Sequence, residues 1–196
     1  TFVSEKEAEL FRQLAPDAAS KTTFFNNGVD TDFFSTQRSY PNPYPAAKKV
    51  LVFTGAMDYW ANIDAVSWFA NSVFPAIRTK QPDVDFYIVG AKPARQVQML
   101  ADLPGIYVTG AVEDIRPYLI HAAVAVAPLR IARGIQNKVL EAMAMQKPVV
   151  VSVQAMEGIH AVSEKELIVA GDAGDFAEQI LLLLDSDEQV TMGRLA

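Results

Sequence analysis

From residue 49 onward the chain alternates two kinds of apolar pattern. Short continuous runs (Val50–Thr54, Asp85–Val89, Ile106–Thr109, Val124–Ala127 and Val149–Ser152) are separated by stretches in which apolar residues recur every three or four positions. Continuous Val/Ile/Ala runs predict strands covered on both faces, and the wider spacing predicts helices packed by one face. Over Asp64–Lys80 the helical stripe is Val66, Phe69, Val73 and Ile77. Further helices are predicted near Ala94–Ala101 and over Ile115–Ala122, Asn137–Met145 and Asp175–Leu184, with a last short strand at Leu167–Ala170. This alternation predicts an α/β fold, a doubly wound, Rossmann-like parallel sheet with right-handed crossovers. Such a sheet takes its ligand outside the carboxyl ends of its strands. Those ends are Gly55, Gly90, Gly110, the Pro128–Gln136 loop and the loop after Ser152.

The first residues follow no such rhythm. Thr1–Val3 is short and β-prone. Ser4 with Glu7 forms a capping box that opens a helix carrying Ala8, Phe11 and Leu14, and Pro16 ends it. Thr22–Phe25 reads as a strand and Asn27–Asp30 as a tight turn. Pro41, Pro43 and Pro45 make residues 36–48 a stiff, extended connector with no core pattern of its own.

Composition narrows the chemistry. The 196 residues are 51% hydrophobic and 20% charged, enough to build a core. No cysteine is present, which excludes disulfides, thiolate zinc sites and a cysteine nucleophile. Two histidines, His121 and His160, lie far apart, which argues against a histidine metal centre. A net charge of −6 argues against nucleic-acid binding. No apolar run approaches the ~20 residues of a membrane span, and the residues present hold no signal-peptide pattern and no Asn-x-Ser/Thr sequon. A cytoplasmic protein is the expectation. The start at Thr1 and the stop at Arg194-Leu195-Ala196, within a predicted helix, suggest a piece of a longer chain.

Neither GxGxxG after a strand nor GxxxxGK[ST] occurs, which weighs against a dinucleotide dehydrogenase and a P-loop NTPase. The informative stretch is Ala127–Met145. A strand ends in a loop with Arg130, Arg133 and Gly134; Asn137 is a candidate N-cap, and Lys138 stands in the first turn. A cation there opposes the helix dipole unless an anion offsets it. Glu141, one turn on, is in reach of a sugar hydroxyl attached to that anion. A sugar–phosphate ligand fits this arrangement; solvated helix residues are the plain alternative. His121, closing a helix, suits the dipole and reads as structural. Trp68 reads as core, Asp58, Tyr59 and Trp60 beside Gly55 as facing either a ligand or another domain, and the pairs Asp83/Asp85 and Glu164/Glu166 as solvated flanks of strands.

These residues also resemble a known family. Glu141-Ala-Met-Ala-Met-Gln-Lys-Pro-Val-Val150 is similar to the donor-binding helix of family-4 retaining glycosyltransferases, which have the two-domain GT-B fold. Asn27-Gly28-Val29-Asp30 with Phe33, Phe53-Thr-Gly55-Ala-Met57, Ile88-Val-Gly90 and Val108-Thr-Gly110 resemble further family segments in the same order. In wording the chain looks most like transferases of bacterial exopolysaccharide and exosortase systems.

The resemblance implies that residues 49–196 are the nucleotide-sugar-binding, C-terminal half of a GT-B fold, residues 1–35 the tail of the other domain and the junction, and 36–48 the connector. It implies sugar transfer with retention from a nucleoside-diphosphate sugar to a glycan or lipid-linked acceptor, with no metal or other cofactor. The acceptor site and catalytic groups would lie mainly outside this chain, leaving it inactive alone, and the full protein could sit peripherally on a membrane. The candidate donor-binding residues are Gly55, Met57, Val112, Arg133, Gly134, Gln136, Asn137, Lys138 and Glu141. An epimerase-like GT-B enzyme and a non-catalytic α/β binding domain are the alternatives.

Two departures stand out. Arg133 occupies the place of the family's first helix-pattern glutamate, which contacts the donor sugar. Ala56 follows Gly55 where the family often carries arginine, and residues 57–63 hold no base. Lys138 and Arg133 are the candidate replacements for those cations. Glu157 and Gly158, in a segment similar to one the family places near its donor, are further candidates.

Overall fold

The computed structural model of the chain describes residues 1–163 and 165–185. The predicted helix end at Arg194–Ala196 and the residue Glu164 lie outside the described residues. Six strands form one parallel sheet: β1 (Lys49–Thr54), β2 (Val84–Val89), β3 (Ile106–Gly110), β4 (Val124–Ala127), β5 (Val149–Ser152) and β6 (Ile168–Ala170). Their spatial order is β3-β2-β1-β4-β5-β6. The chain therefore winds outward from β1 to β3, returns to the far side of β1 and winds outward again. All residues of β2, β4 and β5 are buried, as continuous apolar runs require.

The helices are α1 (Glu5–Leu14), α2 (Trp60–Trp68), α3 (Phe74–Lys80), α4 (Arg95–Gln98), α5 (Arg116–His121), α6 (Asn137–Ala144) and α7 (Ala173–Asp185). The predicted Asp64–Lys80 helix starts earlier and contains a π turn, Phe69–Val73, between α2 and α3. Pro75 has no N–H to give, and its ring would crowd the preceding turn of a regular helix; the wider turn accommodates it. Val66, Phe69, Val73 and Ile77 are fully buried as one stripe.

Strand alternation divides the aromatic core between the two sheet faces. Phe86 meets Phe69 at 4.7 Å between ring centroids. Its neighbour Tyr87 points the other way and meets Tyr44 at 4.7 Å. Each such large side chain contributes roughly 1.5–3 kcal/mol on burial. Tyr44 also donates from its hydroxyl to the Tyr118 carbonyl at 2.6 Å. The 36–48 connector thus does more than link: its Tyr44 belongs to the core. His121 contacts the Tyr40 carbonyl through Nε2 at 2.8 Å, so it fastens that connector, in line with a structural role.

Other expectations change in detail. The two N-terminal strands reduce to a single bridge between Phe2 and Phe24. The tight turn begins at Asp30, whose carboxylate accepts from the Asp32 and Phe33 amides, instead of spanning Asn27–Asp30. Asp85 is buried, not solvated: its Oδ1 lies 3.3 Å from Arg78 Nη1 and 3.8 Å from Lys48 Nζ. The fold around the start of β2 takes that carboxylate out of solvent, and the two cations offset the cost.

Candidate functional site

Where the chain reverses its direction of winding, between β1 and β4, a crevice opens at the carboxyl ends of the strands. A cavity of about 600 Å³ occupies it. Its floor is built from strand ends. The Gly55 amide donates to the Val89 carbonyl (3.1 Å), the Met57 amide to Ala91 (2.9 Å) and the Gly90 amide to Gly110 (3.2 Å). Thr54, Gly55, Ala56, Val89, Gly90, Ala91, Ala111 and Val112 line this side. Asn137, Lys138 and Glu141 of α6 line the opposite wall, with Asn62 of α2 and Asn27 of the N-terminal segment at the edges.

Two charged groups define the chemistry. Lys138 Nζ donates to Asn62 Oδ1 at 2.6 Å and stands 4.5 Å from the centre of the Phe53 ring. Burial depresses its pKa to about 8, while the Glu141 carboxylate pushes it back up. Burial raises the pKa of Glu141, and Lys138 opposes that shift. Neither residue has left water without an opposite charge nearby to offset the cost. The arrangement presents an ammonium beside open backbone at the glycine turns and a carboxylate one helical turn deeper. It suits a ligand that carries both an anionic group and hydroxyls.

The structure brings together Gly55, Val112, Asn137, Lys138 and Glu141 of the candidate set. Met57 does not reach the cavity: its side chain is fully buried in the core, and only its backbone supports the floor. Arg133 is exposed and lies outside the cavity lining. Gly134, at φ +67°, abuts Glu7 of α1, 3.2 Å from where a β-carbon would stand. Gln136 folds back onto the carbonyls of Arg133 and Gly134. It also takes the N-cap position in place of Asn137, which is the first helical residue. Asn137 Oδ1 instead accepts from Asn27 Nδ2 at 3.1 Å. Of the two candidate cations, then, Lys138 faces the ligand space and Arg133 does not.

Glu157 and Gly158 line a separate cleft with Ser4 and Lys6, and Glu157 pairs with Lys6 at 3.7 Å. Asn62 and Asn27 are site residues that motif reading left unassigned. A buried asparagine in the first turn of the helix after a strand-end glycine is the signal that could have found the first.

Residues 48–186 match the family model of the group 1 glycosyl transferases. The chain belongs to that family. The fold agrees. A glycosyltransferase from Rickettsia africae ESF-5 superposes with a TM-score of 0.73 at 15% identity, over 98% of this chain and 55% of its own. Anabaena HepE in complex with UDP and glucose gives a TM-score of 0.74 at 16% identity, over 99% of this chain and 55% of its own. WaaG, a glycosyltransferase involved in lipopolysaccharide biosynthesis, gives 0.76 at 13% identity, over 98% and 55%. This group 1 glycosyl transferase chain thus spans about half the length of those structures, in their GT-B, Rossmann-like architecture. No curated protein sequence matches it. No helix among the described residues is long and apolar enough to cross a membrane.

Proposed function

We propose that this chain is the donor-binding half of a glycosyltransferase that takes a nucleoside-diphosphate sugar. The carrying observation is the placement of Lys138 and Glu141 side by side in the crevice where the sheet reverses its winding. In this reading the diphosphate lies over the Gly55 turn, met by Lys138 and the α6 amides. Glu141 accepts from the ribose hydroxyls, and the base lies toward Val112. Transfer breaks the bond between the sugar's anomeric carbon and the diphosphate oxygen. The acceptor oxygen bonds to that carbon and passes its proton to the departing diphosphate oxygen, and the nucleoside diphosphate leaves. Charge growing on the leaving oxygen is what Lys138 and the α6 amides stabilise, without a metal ion.

Retention of anomeric configuration, and a glycan or lipid-linked acceptor bound by residues outside this chain, complete the proposal. Transfer by this chain alone is not expected. The complexes of HepE with UDP and with UDP-glucose support a nucleotide-sugar donor for this family member. A cytoplasmic setting, with the complete protein resting on a membrane surface, fits lipid-linked acceptors.

The test is a thermal-shift and calorimetric panel of nucleoside diphosphates and their sugars. A true donor at 100 times its Kd stabilises the fold by about 2.7 kcal/mol. Absence of any shift across the panel, with a folded protein, refutes the assignment.

A further inference from the structure

Resting on the donor-site reading above, we propose that Asn62 is a positioning residue: it aims the Lys138 ammonium at the Gly55 turn, so that the cation meets an incoming diphosphate already oriented.

Asn62 is buried, in the first turn of α2, with both ends of its amide engaged. Nδ2 donates to the Ala56 carbonyl at 2.9 Å, and Oδ1 accepts from Lys138 Nζ at 2.6 Å. One side chain thereby ties the strand-end loop to α6 across the crevice. Its location against Gly55 is tight. A β-carbon there would fall 2.8 Å from Asn62 Nδ2 and 3.4 Å from Lys138 Nζ. Glycine is thus required for the clamp to close, and the lysine end lies directly over bare backbone.

The choice of amide matters chemically. A carboxylate at this position would neutralise the ammonium and repel a diphosphate. An apolar side chain would leave a long, flexible lysine without a fixed direction, at an entropic cost on binding. An amide oxygen orients the ammonium without quenching its charge. Among the described residues, the titratable group acting on Lys138 is Glu141 of α6; α2 and β1 present to it Asn62 and the Phe53 ring, both uncharged.

The experiment is calorimetric UDP binding as a function of pH, with Asn62→Ala, Asn62→Asp and Lys138→Met variants. The titration runs from about pH 7 to about pH 10, above the diphosphate's last ionisation near pH ~6. Wild-type affinity should fall as pH rises through about 8, where Lys138 loses its proton. Asn62→Ala should bind UDP several-fold more weakly and shift that inflection to lower pH, since the ammonium has lost its acceptor. Asn62→Asp should bind about tenfold more weakly or worse and shift it to higher pH, since a carboxylate holds the proton. If Asn62 served only to brace the Ala56 loop, Asn62→Ala would weaken binding with the inflection unmoved, and the proposal would fail. Wild-type affinity in both Asn62 variants, with binding lost in Lys138→Met, would also overturn it while leaving the donor site intact. Undiminished UDP binding by Lys138→Met would sink the donor-site reading itself.

Discussion

A β-carbon built on Gly90 would lie 1.7 Å from the Gly55 carbonyl oxygen. The ends of β1 and β2 therefore touch backbone to backbone, and no side chain stands between the two strand ends on the cavity floor. Both glycines sit at φ +155°. Gly90→Ala should force the two strand ends apart, costing roughly 2–5 kcal/mol by strain and overpacking and weakening UDP. Gly110 is the internal comparison. It has φ +70° but nothing within 4 Å of its would-be β-carbon, so Gly110→Ala should cost only about 1 kcal/mol. Urea denaturation of the two variants checks the order; equal losses would show that the contact is unimportant.

Glu141 is the group assigned to the ribose. A charge-assisted hydrogen bond of this kind contributes roughly 1.5–3 kcal/mol, so Glu141→Gln should raise the Kd for UDP by about ten- to a hundredfold. A UDP lacking both ribose hydroxyls should bind the variant and the wild type alike. A variant that loses the same factor with the deoxygenated ligand would place Glu141 elsewhere than on the sugar.

Much of this was legible in the chain. Strands and helices announced themselves because each is a local period in the apolar pattern. Lys138 and Glu141 were legible for a related reason: three residues apart on a helix, they share a face. What could not be read depends on partners distant in sequence. Tyr44 looks like connector until Tyr87 and Tyr118 are brought around it, and Asn137 looks like a cap until Asn27 reaches it. Met57 enters the candidate set through the likeness of its segment to the family's glycine loop, and a likeness of sequence does not say that its side chain turns into the core. Arg133 and Gln136 lie in an irregular loop, where no periodicity says which way a side chain points.

At the opposite edge of the sheet, Asp85 is buried with Oδ1 shared by Arg78 and Lys48, while its Oδ2 has no hydrogen-bond partner. Arg78 also donates to the Val84 carbonyl. Space for it exists because Gly105 has no side chain: a β-carbon there would meet Arg78 Nη1 at 1.6 Å. Asp85→Ala should cost about 2–3 kcal/mol. That is less than the ~3–5 kcal/mol of a fully buried pair, because the Arg78 and Lys48 side chains each remain 30% exposed. UDP affinity should not change, since the pair lies at the amino ends of the strands. Denaturation midpoints and calorimetry on the same variant test both statements.

The depressed pKa of Lys138 makes stability and ligand affinity respond to pH in opposite directions. In the unfolded chain this lysine titrates near its ordinary 10.5; in the fold it titrates at about 8. Between those values the unfolded state holds the extra proton, so this group's contribution to stability rises with pH across that window. Below about pH 8 the charge must be buried, and the full destabilising cost is present. Lys147, whose pKa is also lowered by burial, adds a parallel trend, so the measurable quantity is the difference between wild type and Lys138→Met. Without ligand, Lys138→Met should be the more stable protein at about pH 7, and its advantage should shrink toward pH ~10. With saturating UDP the order at about pH 7 should reverse, because the diphosphate stabilises the charged lysine of the wild type and finds no cation in the variant. Urea titrations at both pH values, with and without UDP, decide the matter: if Lys138→Met is destabilised in every condition, the lysine is a structural prop and not a charge held ready for a ligand.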